Sequence, residues 1–331
     1  MNVLKVSLSF AVLVISIMWM GPTGCDETPV GPSFPGGGSS SGDDGREVII
    51  SLENYDPRSP SWSPDCDKVV FARYDLRGGV SSKLHIYDIP SDTYTEVPNT
   101  EGNPAHPHWS STGEWIAYFS GSTLHTYIIH PDGTGNTRVS TGIGGGAADW
   151  SPDGKELLLY GGKGLLIVDV SDPENLEYRD ITPDEEDEFT GYQPGGWSPN
   201  GEYISYLKIK SLDNGMGWDY SYGLYLTDPY GTYYEVIVPD ESDCGRVVPG
   251  GWSPDGRYLL IWYALGTVDL WAFDVKAGVF KQLTFTDPDD SMIDGFDWGN
   301  NGKIIFQALQ YDMYHANPDG PWNIIYTING P

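Results

Sequence analysis

From residue 47 onward, the apolar positions fall into short runs separated by Gly, Pro, Asp, Asn and Ser. Runs of this kind, rich in Val, Ile, Leu, Tyr and Trp and closed by turn formers, predict strands rather than helices. One series lies at 69–74, 115–119, 156–160, 203–207, 258–263 and 303–307. A second follows at 84–88, 124–129, 165–170, 223–227, 269–274 and 311–316. A third, clearest at 233–238 and 280–285, leads into the next unit. A short strand ending in Trp precedes every run of the first series, so each unit holds four strands. Residues 47–52 form one more strand ahead of the first Trp.

The first 46 residues follow another pattern. Lys5 is followed by a largely apolar run over 6–20, then by Gly21, Pro22, Thr23, Gly24 and Cys25. A membrane-spanning helix needs about 20 such residues, whereas a run of this length fits the hydrophobic region of a signal peptide. Residues 26–46 are mostly Pro, Gly, Ser and Asp, with Gly-Gly-Gly-Ser-Ser-Ser-Gly at 36–42. That composition cannot bury enough surface to fold and reads as a flexible tether. Thr23-Gly24-Cys25 resembles the lipobox of bacterial lipoproteins, although Pro22 departs from its usual Leu. The resemblance implies a signal peptide over 1–24, a tether over 25–46 beginning at a lipidated Cys25, and a folded domain over 47–331. The protein is then expected to be exported and membrane-anchored, facing the periplasm or the cell surface.

The folded part is organised by a repeat. Trp-Ser-Pro-Asp-Gly occurs at 150–154 and 252–256, and Trp-Ser-Pro-Asn-Gly at 197–201. Degenerate copies stand at 62–66, 109–113 and 298–302. The six tryptophans are Trp62, Trp109, Trp150, Trp197, Trp252 and Trp298, spaced from 41 residues (109 to 150) to 55 residues (197 to 252). Such a period suits one four-stranded blade per copy. Ser-Pro-Asp-Gly suits a type I turn, with Pro setting φ at its second position and Gly closing it. A large flat Trp on the preceding strand fills the gap between neighbouring blades. The expected fold is all-β, a six-bladed β-propeller of four-stranded blades, in which the six tryptophans are architecture. Ring closure is open: 47–52 either completes the last blade or adds a fifth strand to it, or 323–328 lies outside the ring. The departures at Cys66, Ser111-Thr112 and Gly299-Asn300 predict distorted turns there.

Strand, Trp-Ser-Pro-Asp-Gly, strand, then Leu-Tyr-Leu-Thr-Asp or Leu-Trp-Ala-Phe-Asp, then Gln-Leu-Thr, resembles the TolB-type propeller repeat. That repeat also occurs in propellers of prolyl oligopeptidase relatives, and the resemblance covers about 47–331. TolB pairs its propeller with an N-terminal domain, in whose place this chain has a tether, so a role in the Tol–Pal system does not follow.

Charge and chemistry narrow the function. Asp and Glu number 47 against 18 Lys and Arg, a formal net charge of −29. This argues against nucleic acid as a partner, since that needs a positive surface. Gly-x-Ser-x-Gly occurs only at 38–42 in the tether, without the strand-turn-helix setting of a nucleophile elbow, and there is no His-Glu-x-x-His, Cys-x-x-Cys or phosphate-binding loop. The best metal candidates are His106 and His108, which alternate on a strand and so can share a face. Oligogalacturonate lyases, on a related propeller, hold their metal with His and Gln, which makes a metal-dependent polysaccharide lyase the alternative function. No cofactor is expected. Ca²⁺ or another divalent cation remains a candidate for the acidic loops, although none has the spacing of an EF-hand loop. Cys66 and Cys244 fall in non-neighbouring repeats, at opposite ends of their strands, which places them too far apart to pair.

Loop length points to one rim. Loops preceding the Trp strands share a face with loops between the second and third strands of a blade. Acidic examples begin at Asp184, Asp240 and Asp287, and an aromatic segment over 211–222 carries Trp218, Tyr220 and Tyr222. Exposed aromatics beside charge on a rigid scaffold are common binding anchors. The function expected is a non-catalytic envelope propeller, monomeric, that recognises a protein, peptide or glycan through this rim.

Overall fold

A computed structural model describes residues 47–52, 55–75, 81–140, 142, 146–161, 164–184, 190–213, 218–238, 246–265, 267–285, 291–310 and 323–331. Among them there is no helix, and the strands form six antiparallel sheets of four. The first strand, β1 (Glu47–Ile50), belongs to the last blade. Blade 1 is β2 (Tyr55–Trp62), β3 (Lys68–Asp75), β4 (Ser81–Asp88) and β5 (Thr93–Glu96). Blade 2 is β6 (Pro104–Trp109), β7 (Ile116–Ser120), β8 (His125–Ile129) and β9 (Thr137–Arg138). Blade 3 is β10 (Ala147–Trp150), β11 (Glu156–Gly161), β12 (Gly164–Asp169) and β13 (Glu177–Asp180). Blade 4 is β14 (Thr190–Trp197), β15 (Ile204–Asp213), β16 (Trp218–Thr227) and β17 (Tyr234–Val238). Blade 5 is β18 (Arg246–Trp252), β19 (Tyr258–Leu265), β20 (Thr267–Asp274) and β21 (Val279–Gln282). Blade 6 is β22 (Ser291–Trp298), β23 (Lys303–Gln310), β24 (Asn323–Asn329) and, outermost, β1.

The ring is closed by the two ends of the chain. β1 pairs antiparallel with β24, Glu47 opposite Thr327 and Val48 opposite Tyr326. Of the closures left open by the sequence, β1 is therefore the fourth strand of the last blade, not a fifth. The strand run expected over 311–316 lies outside the described residues, and the partner of β23 is β24.

The core is divided among the blade interfaces. Each of six apolar clusters lies between consecutive blades, and each holds one repeat tryptophan. Trp109 packs with Val70, Leu84 and Ile129, and Trp252 with Leu207, Leu224 and Leu259. Trp62, Trp150, Trp197 and Trp298 occupy the other four interfaces. All six are at most 9% exposed, so each indole is the inter-blade wedge that the repeat predicts. Burial of such a side chain makes its truncation cost about 3–5 kcal/mol.

All six turns after the tryptophans share one geometry. The fourth turn residue donates its N–H to the carbonyl of the first, from Cys66 to Ser63 at 2.8 Å, Gly113 to Ser110 at 3.0 Å and Gly302 to Gly299 at 2.9 Å, as in the three full copies. The degenerate turns are thus not distorted. Cys66 takes the left-handed φ of 57° that glycine takes elsewhere. The Ser and Asp of the motif have a further use. Ser151 Oγ donates to Asp153 Oδ1 (2.7 Å) and accepts the Glu156 N–H (2.9 Å). Ser253 and Asp255 repeat the arrangement.

Candidate functional site

The innermost strands line the axis of the ring. The residue before each repeat tryptophan occupies an equivalent level: Ser61, His108, Asp149, Gly196, Gly251 and Asp297. The two carboxylates stand on opposite blades, 3 and 6, and each ties its own blade to the next. Asp149 accepts the Trp150 N–H on Oδ1 (2.8 Å) and the Trp197 N–H on Oδ2 (2.6 Å). Asp297 accepts the Trp298 N–H on Oδ1 (2.8 Å) and the Trp62 N–H on Oδ2 (2.8 Å). Ser61 extends the second clamp. Its Oγ donates to Asp297 Oδ2 (3.0 Å) and accepts the Trp109 N–H (3.1 Å), so one chain of bonds crosses blades 6, 1 and 2.

Asp149 keeps 21% of its side chain exposed, and His108 Nδ1 is 3.8 Å from its Oδ1. Burial pushes its carboxyl up to about 6, against the opposing pull of His108 and the two amides. Both carboxylates thus accept backbone N–H groups from two blades at the same level of the ring.

His106 and His108 do not follow plain alternation. A bulge between Ala105 and His108 shifts the register, and His106 takes a φ of 48°. His106 Nδ1 is hydrogen-bonded to Ser59 Oγ at 3.1 Å, while His108 turns to Asp149. The shared face expected of the pair is lost to the bulge. Among the described residues, no three His, Cys, Asp or Glu side chains are grouped to hold a metal ion. Cys66 is a free cysteine, and Cys244 lies outside the described residues.

The described parts of the aromatic segment of blade 4, 211–213 and 218–222, are strand. β15 and β16 continue as a hairpin of paired strands, with Ser211 opposite Tyr220 and Asp213 opposite Trp218. At ten residues each they are the longest described strands. Tyr222 packs against the cluster between blades 4 and 5, and Tyr220, 39% exposed, stands 6.4 Å from it, ring to ring. Trp218 is placed on β16 by its backbone. Asp184 is exposed, and its charge acts on Tyr234. Asp240 and Asp287, like Cys25 and the tether, lie outside the described residues.

A second aromatic surface went unread in the sequence. On the outer wall of blade 4, Tyr230 is 70%, Tyr233 49% and Val236 52% exposed. Arg179 of blade 3 anchors this wall. Its Nε donates to the Pro229 carbonyl (3.0 Å), its guanidinium holds both oxygens of Glu156, and it lies 5.3 Å from the Tyr230 ring. The signal was present as Tyr225, Tyr230, Tyr233 and Tyr234 within ten residues of sequence. In the fold Tyr225 packs against the cluster between blades 3 and 4, while Tyr230, Tyr233 and Tyr234 are exposed about the outer strand.

No family model matches the chain. Solved structures do. A TolB from Agrobacterium tumefaciens, provisionally so named, is 16% identical with a TM-score of 0.56, over 85% of this chain and 91% of that one. The six-bladed propeller is what they share. TolB from Acinetobacter baumannii is 16% identical with a TM-score of 0.53, over 86% of this chain and 66% of that one. An oligogalacturonate lyase from Vibrio parahaemolyticus is 12% identical with a TM-score of 0.51, over 86% and 96%. At these identities the likeness is one of fold. The fold carries both TolB proteins and an enzyme, so function has to be argued from the site.

Proposed function

We propose that this chain is a non-catalytic binding propeller of the cell envelope, exported and anchored through Cys25, that recognises a protein partner on blade 4. The observation that carries the reading is the use of Asp149 and Asp297. Both carboxylates are engaged by backbone amides of two blades, while exposed aromatic area collects on blade 4. A rigid ring with an aromatic, charged surface on one blade suits recognition, in which a few aromatic anchors carry most of the affinity.

The test is affinity capture from the native envelope with wild type and a Trp218→Ala/Tyr220→Ala variant. The reading expects partners held by wild type and weakened in the variant. Identical partner sets would remove the hairpin rim from the binding surface. Release of unsaturated uronate products from oligogalacturonate by the purified protein would overturn the non-catalytic reading. For the anchor, Cys25→Ala is expected to move the protein into the soluble fraction, and its retention on the membrane would contradict lipidation.

A further inference from the structure

The outer wall of blade 4 has three properties together. The first is exposed aromatic area flanking the outer strand on both faces: Tyr230, Tyr234 and Val236 (70, 39 and 52% exposed) lie on the side of blade 3, and Tyr233 (49%) lies beside Glu235 on the side of blade 5, so that an extended segment along the edge can reach both. The second is negative charge. Glu235 accepts from the Tyr233 hydroxyl at 3.1 Å. Asp228, Asp184 and Asp180 act on Tyr234, whose phenol is held above its ordinary range by burial first and by these charges next. Asp228 caps the turn through the Tyr230 and Thr232 amides, and Asp180 bonds Thr182, roles that leave their charge in place. The third is that tyrosines of this blade already carry cations from within the protein. Arg179 stands over Tyr230 at 5.3 Å and Lys208 over Tyr225 at 5.6 Å.

The strand that bears the wall also has an open edge. Among the described residues β17 pairs with β16 alone and ends its sheet. With five residues it is longer than the outer strands of the other blades, which have four or two. Such an edge offers unpaired backbone groups to an extended segment. A tyrosine face in a negative field attracts ammonium and guanidinium groups. The chain's formal charge of −29 favours encounter with a basic partner over an acidic one.

We propose that the outer wall of blade 4, formed by β17 and the 228–233 turn, docks an extended Lys- or Arg-bearing segment of a partner polypeptide, with Tyr230 and Tyr233 receiving its cationic side chains. This rests on the binding-module reading and names its partner class, on the outer wall instead of the channel rim.

The probe is fluorescently labelled octalysine, titrated by anisotropy into the full folded domain. A Tyr230→Ser/Tyr233→Ser variant keeps every charge and is expected to weaken binding by about tenfold, from two exposed cation–π contacts of about 0.5–1 kcal/mol each. Tyr94→Ser, at a 41%-exposed tyrosine of blade 1, is expected to leave it unchanged. Thermal melts confirm that both variants fold. Equal octalysine affinity in wild type and the double variant would overturn the proposal, since binding would then be diffuse charge attraction. Binding of a neutral oligosaccharide, lost in the double variant while octalysine is ignored, would overturn it in favour of a glycan site. Envelope capture separates the two readings. Partners held equally by wild type and the double variant sink the wall alone, whereas no partner on wild type sinks the module.

Discussion

The two arcs of the inner ring solve the same packing problem with opposite chemistry. In blades 4 and 5 the inner strands carry Pro-Gly-Gly-Trp, at 194–197 and 249–252. They approach so closely that a Cβ on Gly196 would lie 2.8 Å from the Gly250 carbonyl oxygen, and one on Gly195 2.8 Å from Pro249. Blades 6, 1 and 2 keep side chains at the same levels and bend the strand instead. Gly295, Ser59 and His106, each three residues before its tryptophan, take φ of 58°, 51° and 48°. Ser59 N–H is held there by Gln307 Oε1 at 2.9 Å. One arc is joined by backbone proximity, the other by the relay from Trp109 through Ser61 to Asp297. The relay arc includes the seam between blades 6 and 1, and inside blade 6 the ring is closed by the pairing of β24 with β1, the two ends of the folded chain.

The comparison breaks first at Asp297. Asp297→Ala leaves Trp62 N–H, Trp298 N–H and Ser61 Oγ without their acceptor and is expected to destabilise by about 3–4 kcal/mol, from unsatisfied buried donors; chemical denaturation measures it. Next comes the carboxyl across the ring. Asp149 is raised from 3.8 to about 6 in the folded state. The stability it contributes is present below its unfolded value and is lost as pH rises through about 6. Thermal melts of wild type and Asp149→Asn should therefore show wild type losing up to about 2–3 kcal/mol relative to the variant between about pH 4 and pH 7. The turn carboxylates act in another window. Asp153 and Asp255 are lowered by their Ser partners, so their contribution is present above 3.8 and falls away in stronger acid.

The equivalent positions of the two arcs then differ. Gly196→Ala is expected to cost about 2 kcal/mol by overpacking against backbone. His108→Ala, at the same level with a partly exposed side chain, should cost under about 1 kcal/mol. Equal losses would remove the distinction between the arcs. The smallest effect belongs to the seam-side turn. Cys66→Gly releases a left-handed residue and is expected to gain about 0.5 kcal/mol after its lost packing is counted, read as a small rise in midpoint.

Blade number, strand order within a blade and the wedge role of the six tryptophans were legible because each is local. A turn signature, a run of β-formers and a flat apolar side chain recur at a period that one blade explains. The site was legible only in part. Plain strand alternation gives His106 and His108 a shared face, and a bulge between Ala105 and His108 intervenes. The segment over 211–222 looked like a loop because Ser, Asp, Asn and Gly interrupt it, yet its ends pair as strands. Pro-Gly-Gly-Trp, twice in the chain, was a visible sign of close inner packing.

The sequence by itself determined the propeller, since turn chemistry and hydrophobic period act over a few residues. Tertiary structure alone decided how β1 closes the ring, which carboxylates become clamps, and that Tyr230, Tyr233 and Tyr234 stand exposed about the outer strand of blade 4 while Tyr225 packs inward. Each of these depends on groups distant along the chain, such as Asp297 and Trp62 or Glu47 and Thr327, meeting within hydrogen-bonding reach. No local pattern encodes that meeting, because the partner of a strand edge or a buried carboxylate is set by the ring as a whole.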